Sequence, residues 1–126
     1  MAEEKIKLLI VDDEEIINVH IKSYLEKRPY MVFTAGSAEE ALPLIKRENL
    51  ALMLLDLALP GMSGIDLVKE VRKFNPGLKV ILISGYYNLD SIDPAEWKEL
   101  NILEFVRKPM GIVELELIIK KALAKE

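Results

Sequence analysis

The segment IKLLIVDD, residues 6–13, is a short apolar run that stops at two adjacent aspartates. An apolar run of this length, without regular polar interruption, predicts a strand buried on both faces, as in a parallel sheet. Similar runs later in the chain stop at Asp56, Ser84 and Lys108. The sequence therefore predicts several buried strands that carry polar residues where they end.

Segments of helical periodicity separate these runs. We predict strands over residues 6–11, 31–35, 50–55, 79–83 and 103–106, and helices over about 15–27, 38–48, 64–74, 94–100 and 112–124. Ser37 and Glu40 have the spacing of a capping box, and Pro43 is expected to kink the same helix or remove one of its hydrogen bonds. The alternation predicts an α/β, doubly wound five-stranded parallel sheet with helices on both faces. No linker or repeat interrupts it, so residues 1–126 are predicted to form one domain.

The composition excludes several function classes. The 126 residues carry a formal net charge of −4, no cysteine and a single histidine, His20. Without a basic excess, binding of nucleic acid is not expected. Disulfides, thiolate metal sites and multi-histidine centres are ruled out. No signal peptide is recognisable, and no run approaches the roughly 18 apolar residues of a membrane span. We expect a cytoplasmic protein without a membrane partner or an organic cofactor.

The polar residues at the strand ends form a candidate site. In doubly wound sheets, ligands bind outside the carboxyl ends of the strands. Five polar residues follow the predicted strands: Asp12, Asp13, Asp56, Ser84 and Lys108. Each alone has an ordinary interpretation, since Asp and Ser are common in caps and turns and a Lys before Pro is usually solvated. Neighbouring carboxylates repel one another unless a cation lies among them, and oxygen ligands without His or Cys favour Mg²⁺. A carboxylate beside that ion can attack a phosphoryl group, whose charge an ammonium and a hydroxyl would stabilise.

These residues resemble the receiver domain of bacterial two-component response regulators. The resemblance is carried by Asp12-Asp13, Leu54-Leu55-Asp56, residues 60–64 (PGMSG), Ser84-Gly85 and residues 105–109 (FVRKP), and it covers nearly the whole chain. It implies a flavodoxin-like strand order of 2-1-3-4-5 with five helices.

The resemblance also implies an acceptor and a metal site. Asp56 would accept a phosphoryl group from a histidine kinase or a phosphotransfer protein. Asp13, Asp56 and the main-chain carbonyl of Ala58 would hold Mg²⁺, with Asp12 acting through water. The chain would be a signalling phosphoacceptor rather than an enzyme, although it would assist its own phosphorylation and dephosphorylation.

Further residues would couple the site to a partner-binding surface. Lys108 would pair with a phosphoryl oxygen, and Ser84 would hydrogen-bond the phosphoryl group and shift inward. Phe105 stands where the family has a rotating aromatic residue, although a permanently packed strand aromatic is the alternative. A cis peptide between Lys108 and Pro109 is also implied.

Two regions depart from the family pattern. The fourth helix is predicted to be short and late, and Asn101-Ile102 replaces the small residues that are common before the fifth strand. The sequence therefore does not predict the partner-binding surface, and Trp97 is either a partner anchor or a core residue. Near the acceptor, Ala58 offers no side-chain cover, while Tyr86 could shield the phosphoryl group.

Other functions use similar residues. A phosphatase or phosphotransferase of the haloacid dehalogenase type would need a second Asp where the chain has Ala58. A phosphorylation-independent receiver would be expected to lack the acceptor, the acidic pair or the lysine. The residues could also be one module of a hybrid kinase or a transcriptional regulator. His20 is interpreted as a partly exposed helix residue rather than a phosphodonor.

Overall fold

A single parallel sheet organises the described residues, which are 5–85, 93–108 and 110–125 of the computed structural model. Its strands are β1 (Ile6–Val11), β2 (Tyr30–Ala35), β3 (Leu52–Asp56), β4 (Lys79–Ser84) and β5 (Glu104–Arg107). They lie in the order β2-β1-β3-β4-β5, and every neighbouring pair is parallel. The predicted strand order is confirmed.

Helices alternate with the strands along the chain. They are α1 (Glu15–Leu25), α2 (Ala38–Arg47), α3 (Gly64–Arg72), α4 (Pro94–Glu99) and α5 (Ile112–Ala124). The predicted doubly wound α/β class is confirmed, with element ends that differ from the predicted ones by a few residues. In the described ranges, no helix has the length and apolar character needed to cross a bilayer.

The core lies on both faces of the sheet because successive strand residues point to opposite sides. In β1, Leu9 and Val11 belong to one apolar cluster, while Leu8 and Ile10 belong to the other. All four are almost completely buried. A strand covered on both faces needs apolar residues at every position, which explains the unbroken run in the sequence.

The predicted cap of α2 is present. The Ser37 hydroxyl accepts a hydrogen bond from the Glu40 N–H at 3.2 Å, and the Glu40 carboxylate accepts one from the Gly36 N–H at 2.8 Å. The glutamate thus bonds the residue before the cap instead of the cap itself. The helix continues through Pro43 as far as Arg47, so the proline does not end it.

The fourth helix is short, as predicted, with only six residues. Asp93 caps it by accepting a hydrogen bond from the Ala95 N–H at 2.9 Å. Asn101, just after the helix, has a φ of 56°, a left-handed conformation that asparagine tolerates better than most residues. Tyr86, the Trp97 side chain and the Lys108–Pro109 peptide lie outside the described residues, so the predictions for them stay predictions.

Candidate functional site at the carboxyl edge of the sheet

The sheet brings the predicted site residues to one edge. Asp12 follows β1 and Asp56 ends the adjacent β3, and the pairing of Val11 with Leu55 places the two aspartates at equivalent positions. Asp12 and Asp56 are only 4% and 6% exposed, although both carry charge-bearing groups. Buried carboxylates need compensating partners, and this edge supplies them.

Lys108 is the main partner of these carboxylates. Its Nζ lies 2.7 Å from Oδ2 of Asp12 and 3.0 Å from Oδ2 of Asp56, with Glu14 further away at 3.6 Å. The Lys108 main-chain N–H donates to the carbonyl of Ser84 at 2.9 Å, which fixes the end of β5 against β4. Lys108 follows β5, which lies beyond β4 in the sheet, yet its ammonium pairs with the carboxylates at the ends of β1 and β3.

The site disfavours the charged form of Asp56 and favours the charged form of Lys108. Burial raises the pKa of Asp56 above its usual value, even though the Ala58 N–H and the Lys108 ammonium favour the charged form. Burial disfavours the charged form of Lys108, but its hydrogen bonds to Asp12 and Asp56 outweigh that effect and raise its pKa. The lysine stays a cation, while Asp56 is held in a site that favours further positive charge.

The acidic residues fit a divalent cation. One carboxylate oxygen each from Asp12, Asp13 and Asp56 lies within 4.8 Å of the others. The donors are all hard oxygens, and these three carboxylates outnumber the single Lys108 ammonium, so the cluster retains negative charge that a hard cation such as Mg²⁺ would balance. Ala58 is exposed, and its N–H donates to Oδ1 of Asp56 at 3.0 Å. The use of its carbonyl as a ligand stays a prediction.

A glycine allows helix α3 to begin against the acceptor. A Cβ on Gly64 would lie 2.8 Å from the carbonyl oxygen of Asp56 and 3.0 Å from Cα of Leu57. Cβ atoms essentially never approach another heavy atom as closely as 2.8 Å, so the backbone would have to shift. The Gly64 N–H also donates to the carbonyl of Leu57 at 3.2 Å. Gly64 lies within the quoted PGMSG motif, but its role in placing the acceptor was not predicted.

Helix α1 contains a residue that sequence reasoning missed, and it bonds the backbone just after β1. Nδ2 of Asn18 donates to the main-chain carbonyl of Asp12 at 2.7 Å, and Asn18 is only 5% exposed. It lies on the buried face of α1 with Ile21 and Leu25. A polar residue in that apolar stripe was the available signal, because buried amides usually serve a specific hydrogen bond.

Ser84, Phe105 and His20 occupy the predicted elements. Ser84 is the buried last residue of β4. Phe105 lies in β5 opposite Leu82, is half-buried and packs against the apolar cluster that contains Leu82. His20 is exposed on α1. The switch roles of Ser84 and Phe105 stay predictions.

Residues 8–120 match the response regulator receiver domain family. The chain belongs to this family. Sporulation initiation phosphotransferase F of Bacillus subtilis is 36% identical over 117 residues, which are 93% of each chain. A CheY-like receiver domain protein from Methanospirillum hungatei has a TM-score of 0.86 and 33% identity over 94% of each chain. The non-phosphorylated HemR receiver domain of Leptospira biflexa has a TM-score of 0.87 and 26% identity over 97% of each chain.

Other relatives are longer proteins that contain a receiver-like part. The chain is 33% identical to the response regulator PhoP of Pseudomonas aeruginosa but spans 48% of it. It is 32% identical to a cyclic di-GMP phosphodiesterase of Thermotoga maritima and spans 30% of that protein. The chain therefore corresponds to less than half of each of these two relatives, and their names as enzyme or regulator apply to the longer proteins.

Proposed function

We propose that this receiver domain accepts a phosphoryl group on Asp56 from a phosphohistidine of a sensor histidine kinase or phosphotransfer protein. The observation that carries the proposal is the environment of Asp56, the buried last residue of β3. Its Oδ2 lies 3.0 Å from the Lys108 ammonium, and its Oδ1 accepts the Ala58 N–H at 3.0 Å. Asp56 thus belongs to an acidic cluster that could hold a metal ion and lies beside a fixed ammonium, which is the setting in which a carboxylate can act as a nucleophile towards phosphorus.

In the proposed transfer, a carboxylate oxygen of Asp56 forms a bond to phosphorus while the bond from phosphorus to the donor nitrogen breaks. The nitrogen keeps the electron pair of that bond. Lys108 begins on Oδ2 of Asp56, so its ammonium would stabilise charge on the phosphoryl oxygens. Once Asp56 is an acyl phosphate, the lysine would pair with a phosphoryl oxygen.

Asp13, Asp56 and the Ala58 carbonyl would hold the proposed Mg²⁺, with Asp12 in support through water. When bound, the ion supplies positive charge that offsets the phosphoryl oxygens and the carboxylates. Asp13 is the exposed member of the acidic cluster, while Asp12 is already bonded to Lys108. The exposure of Asp13 supports it as a direct ligand, whereas the indirect role of Asp12 rests on the family resemblance alone, because Asp56 has the same ion pair with Lys108.

The output would follow from Ser84 and Phe105. We propose that the Ser84 hydroxyl moves towards the phosphoryl group and that Phe105 turns inward with it, which changes the surface offered to a downstream protein. Residues 1–126 would act as one phosphoacceptor unit in the cytoplasm, without catalysis on a separate substrate and without direct contact with nucleic acid or membranes. Assistance to its own dephosphorylation would come from the same acidic cluster.

The experiment is incubation with acetyl phosphate and Mg²⁺, followed by intact mass. We expect one added phosphoryl group on the native chain and none on Asp56→Asn. Asp66→Asn, which changes an exposed carboxylate in the first turn of α3, is the matched control and should be modified normally. No uptake by the native chain would favour a phosphorylation-independent receiver. Equal uptake in EDTA would contradict the proposed use of Mg²⁺.

A further inference from the structure

Asn18 occupies a place on α1 where an apolar residue is expected. With Ile21 and Leu25 it makes up the buried face of the helix, and it is only 5% exposed. Its side chain therefore leaves water on folding. A buried amide is retained at little cost only when its hydrogen-bonding groups find partners.

Within the described residues, only half of this amide has a hydrogen-bond partner. The NH₂ group donates to the carbonyl oxygen of Asp12 at 2.7 Å, and only that group can donate to a carbonyl, so the orientation of the amide is determined. Oδ1 of Asn18 is buried and has no hydrogen-bond partner among the described residues. The unpaired oxygen offsets what the single hydrogen bond contributes to stability. Stability alone is therefore a poor reason for an asparagine here.

The bonded carbonyl belongs to the peptide that joins Asp12 to Asp13. A peptide unit is planar, so holding its oxygen also determines the direction of the Asp13 N–H and the position of the Asp13 Cα. Asp12 is held elsewhere as well: its N–H donates to Ala35, and its carboxylate accepts from Glu14 and Lys108. The Asp13 side chain has no hydrogen bond or ion pair within the described part of the chain, so its direction depends on its backbone.

We propose that Asn18 is a positioning residue for the metal site, which orients the Asp12–Asp13 peptide so that the Asp13 carboxylate faces Asp12 and Asp56. The inference rests on the proposed function, because it assumes that this acidic cluster holds Mg²⁺. Groups that hold a metal ligand from outside typically change metal affinity by 10-fold or more when they are removed. Asn18 never contacts the ion; it acts through the peptide.

The test separates metal affinity from stability. Binding of Mg²⁺ alone is measured by calorimetry, and unfolding by urea is measured in EDTA. We expect Asn18→Leu, which keeps the number of side-chain heavy atoms but removes the donor, to weaken Mg²⁺ binding about 10-fold, while the free energy of unfolding changes little. Leu25→Val, on the same buried face but away from Asp12, is the matched control: it should lower stability and leave Mg²⁺ affinity unchanged.

Each outcome decides a different claim. Native affinity in Asn18→Leu, or an equal loss of affinity in Leu25→Val, overturns the positioning role. If Asn18→Leu does not fold, Asn18→Ala removes the same donor without adding volume and carries the same expectation. Absence of saturable Mg²⁺ binding by the native chain, or unchanged binding in Asp13→Asn, overturns the metal site and with it the inference.

Discussion

The ammonium of Lys108 lies 3.0 Å from Oδ2 of Asp56, although 52 residues of sequence separate the two. The same ammonium is 2.7 Å from Oδ2 of Asp12, so Lys108 balances the charge of two buried carboxylates. An incoming phosphoryl group would therefore compete with Asp12 and Asp56 for the Lys108 ammonium. In the proposed reaction, Lys108 would exchange a carboxylate oxygen for a phosphoryl oxygen. Mg²⁺ would then supply the positive charge that Lys108 no longer provides to the carboxylates.

Removal of the Lys108 ammonium should make stability depend on Mg²⁺. In Lys108→Met, Asp12 and Asp56 face each other without a cation. We expect the free energy of unfolding in EDTA to be about 1–3 kcal/mol lower than that of the native chain. Bound Mg²⁺ should recover part of this loss, because a ligand that binds only the folded state stabilises it. Urea unfolding with and without Mg²⁺ measures both effects. An Mg²⁺ response no larger than that of the native chain would contradict the prediction.

Gly64 should tolerate no side chain. In Gly64→Ala, the new Cβ would meet the Asp56 carbonyl at 2.8 Å, and the start of α3 would have to move away from the acceptor. We expect a loss of about 1–3 kcal/mol, as for other overpacked sites, together with slower uptake of phosphate from acetyl phosphate. Gly77→Ala is the control, because nothing lies within 4 Å of the added Cβ. Equal stability of the two variants would rule out the close approach.

The sheet and most of the site could be predicted because their signals are local. A run such as IKLLIVDD shows both a buried strand and the acidic pair at its end, and parallel strands bring such ends together. The same logic placed Asp12, Asp13 and Asp56 in one cluster, which the geometry confirms. It also anticipated the short α4, because Asp93-Pro94 marks a late helix start.

The contacts between distant segments were not predictable in this way. Asn18 looks like an interruption of an apolar stripe until its bond to Asp12 is known, and Arg72 looks like an ordinary basic residue at a helix end. The pairing of Lys108 with a phosphoryl oxygen stays a prediction, but its ion pairs with Asp12 and Asp56 were not predicted. Hydrogen bonds of this kind depend on packing between elements, which no periodicity records.

Arg72 should anchor the segment between α4 and β5. Its guanidinium donates to the carbonyls of Leu100 at 2.8 Å, Leu78 at 2.7 Å, Asn75 at 3.1 Å and Asn101 at 3.4 Å. Arg72→Met would leave these acceptors without their donor, and we expect a loss of about 2–3 kcal/mol. Hydrogen exchange over residues 95–104 should also become faster.

The controls for Arg72 use its neighbour and its charge. Lys73→Met removes an exposed ion pair with Glu70, and such pairs contribute little to stability. Arg72→Lys keeps the charge but lacks the planar set of donors, so its stability should lie between those of the native chain and Arg72→Met. If Arg72→Lys were as stable as the native chain, the charge of Arg72 rather than its hydrogen bonds would account for its contribution to stability.

Glu116 should make the contact between α1 and α5 sensitive to acid. It is 7% exposed on α5, and its carboxylate accepts hydrogen bonds from the Tyr24 hydroxyl at 3.0 Å and from Nε of Arg28 at 2.6 Å. Burial acts to raise the pKa of Glu116, but these two hydrogen bonds outweigh it and hold the pKa below its usual value.

A carboxyl with a lowered pKa binds its proton more weakly in the folded state than in the unfolded state. Its contribution to stability is therefore complete above the unfolded pKa of about 4.3 and disappears as the pH falls through the lower folded value. We expect Glu116→Gln to be less stable than the native chain at pH 7 and the difference to narrow steadily below about pH 4. Urea unfolding at a series of pH values measures this difference in stability.

The control is Glu99→Gln, which changes an exposed carboxyl on α4 and should leave the dependence of stability on pH unchanged. A gap between the native chain and Glu116→Gln that stays constant down to pH 3 would show that the ionised carboxylate is not what joins the two helices.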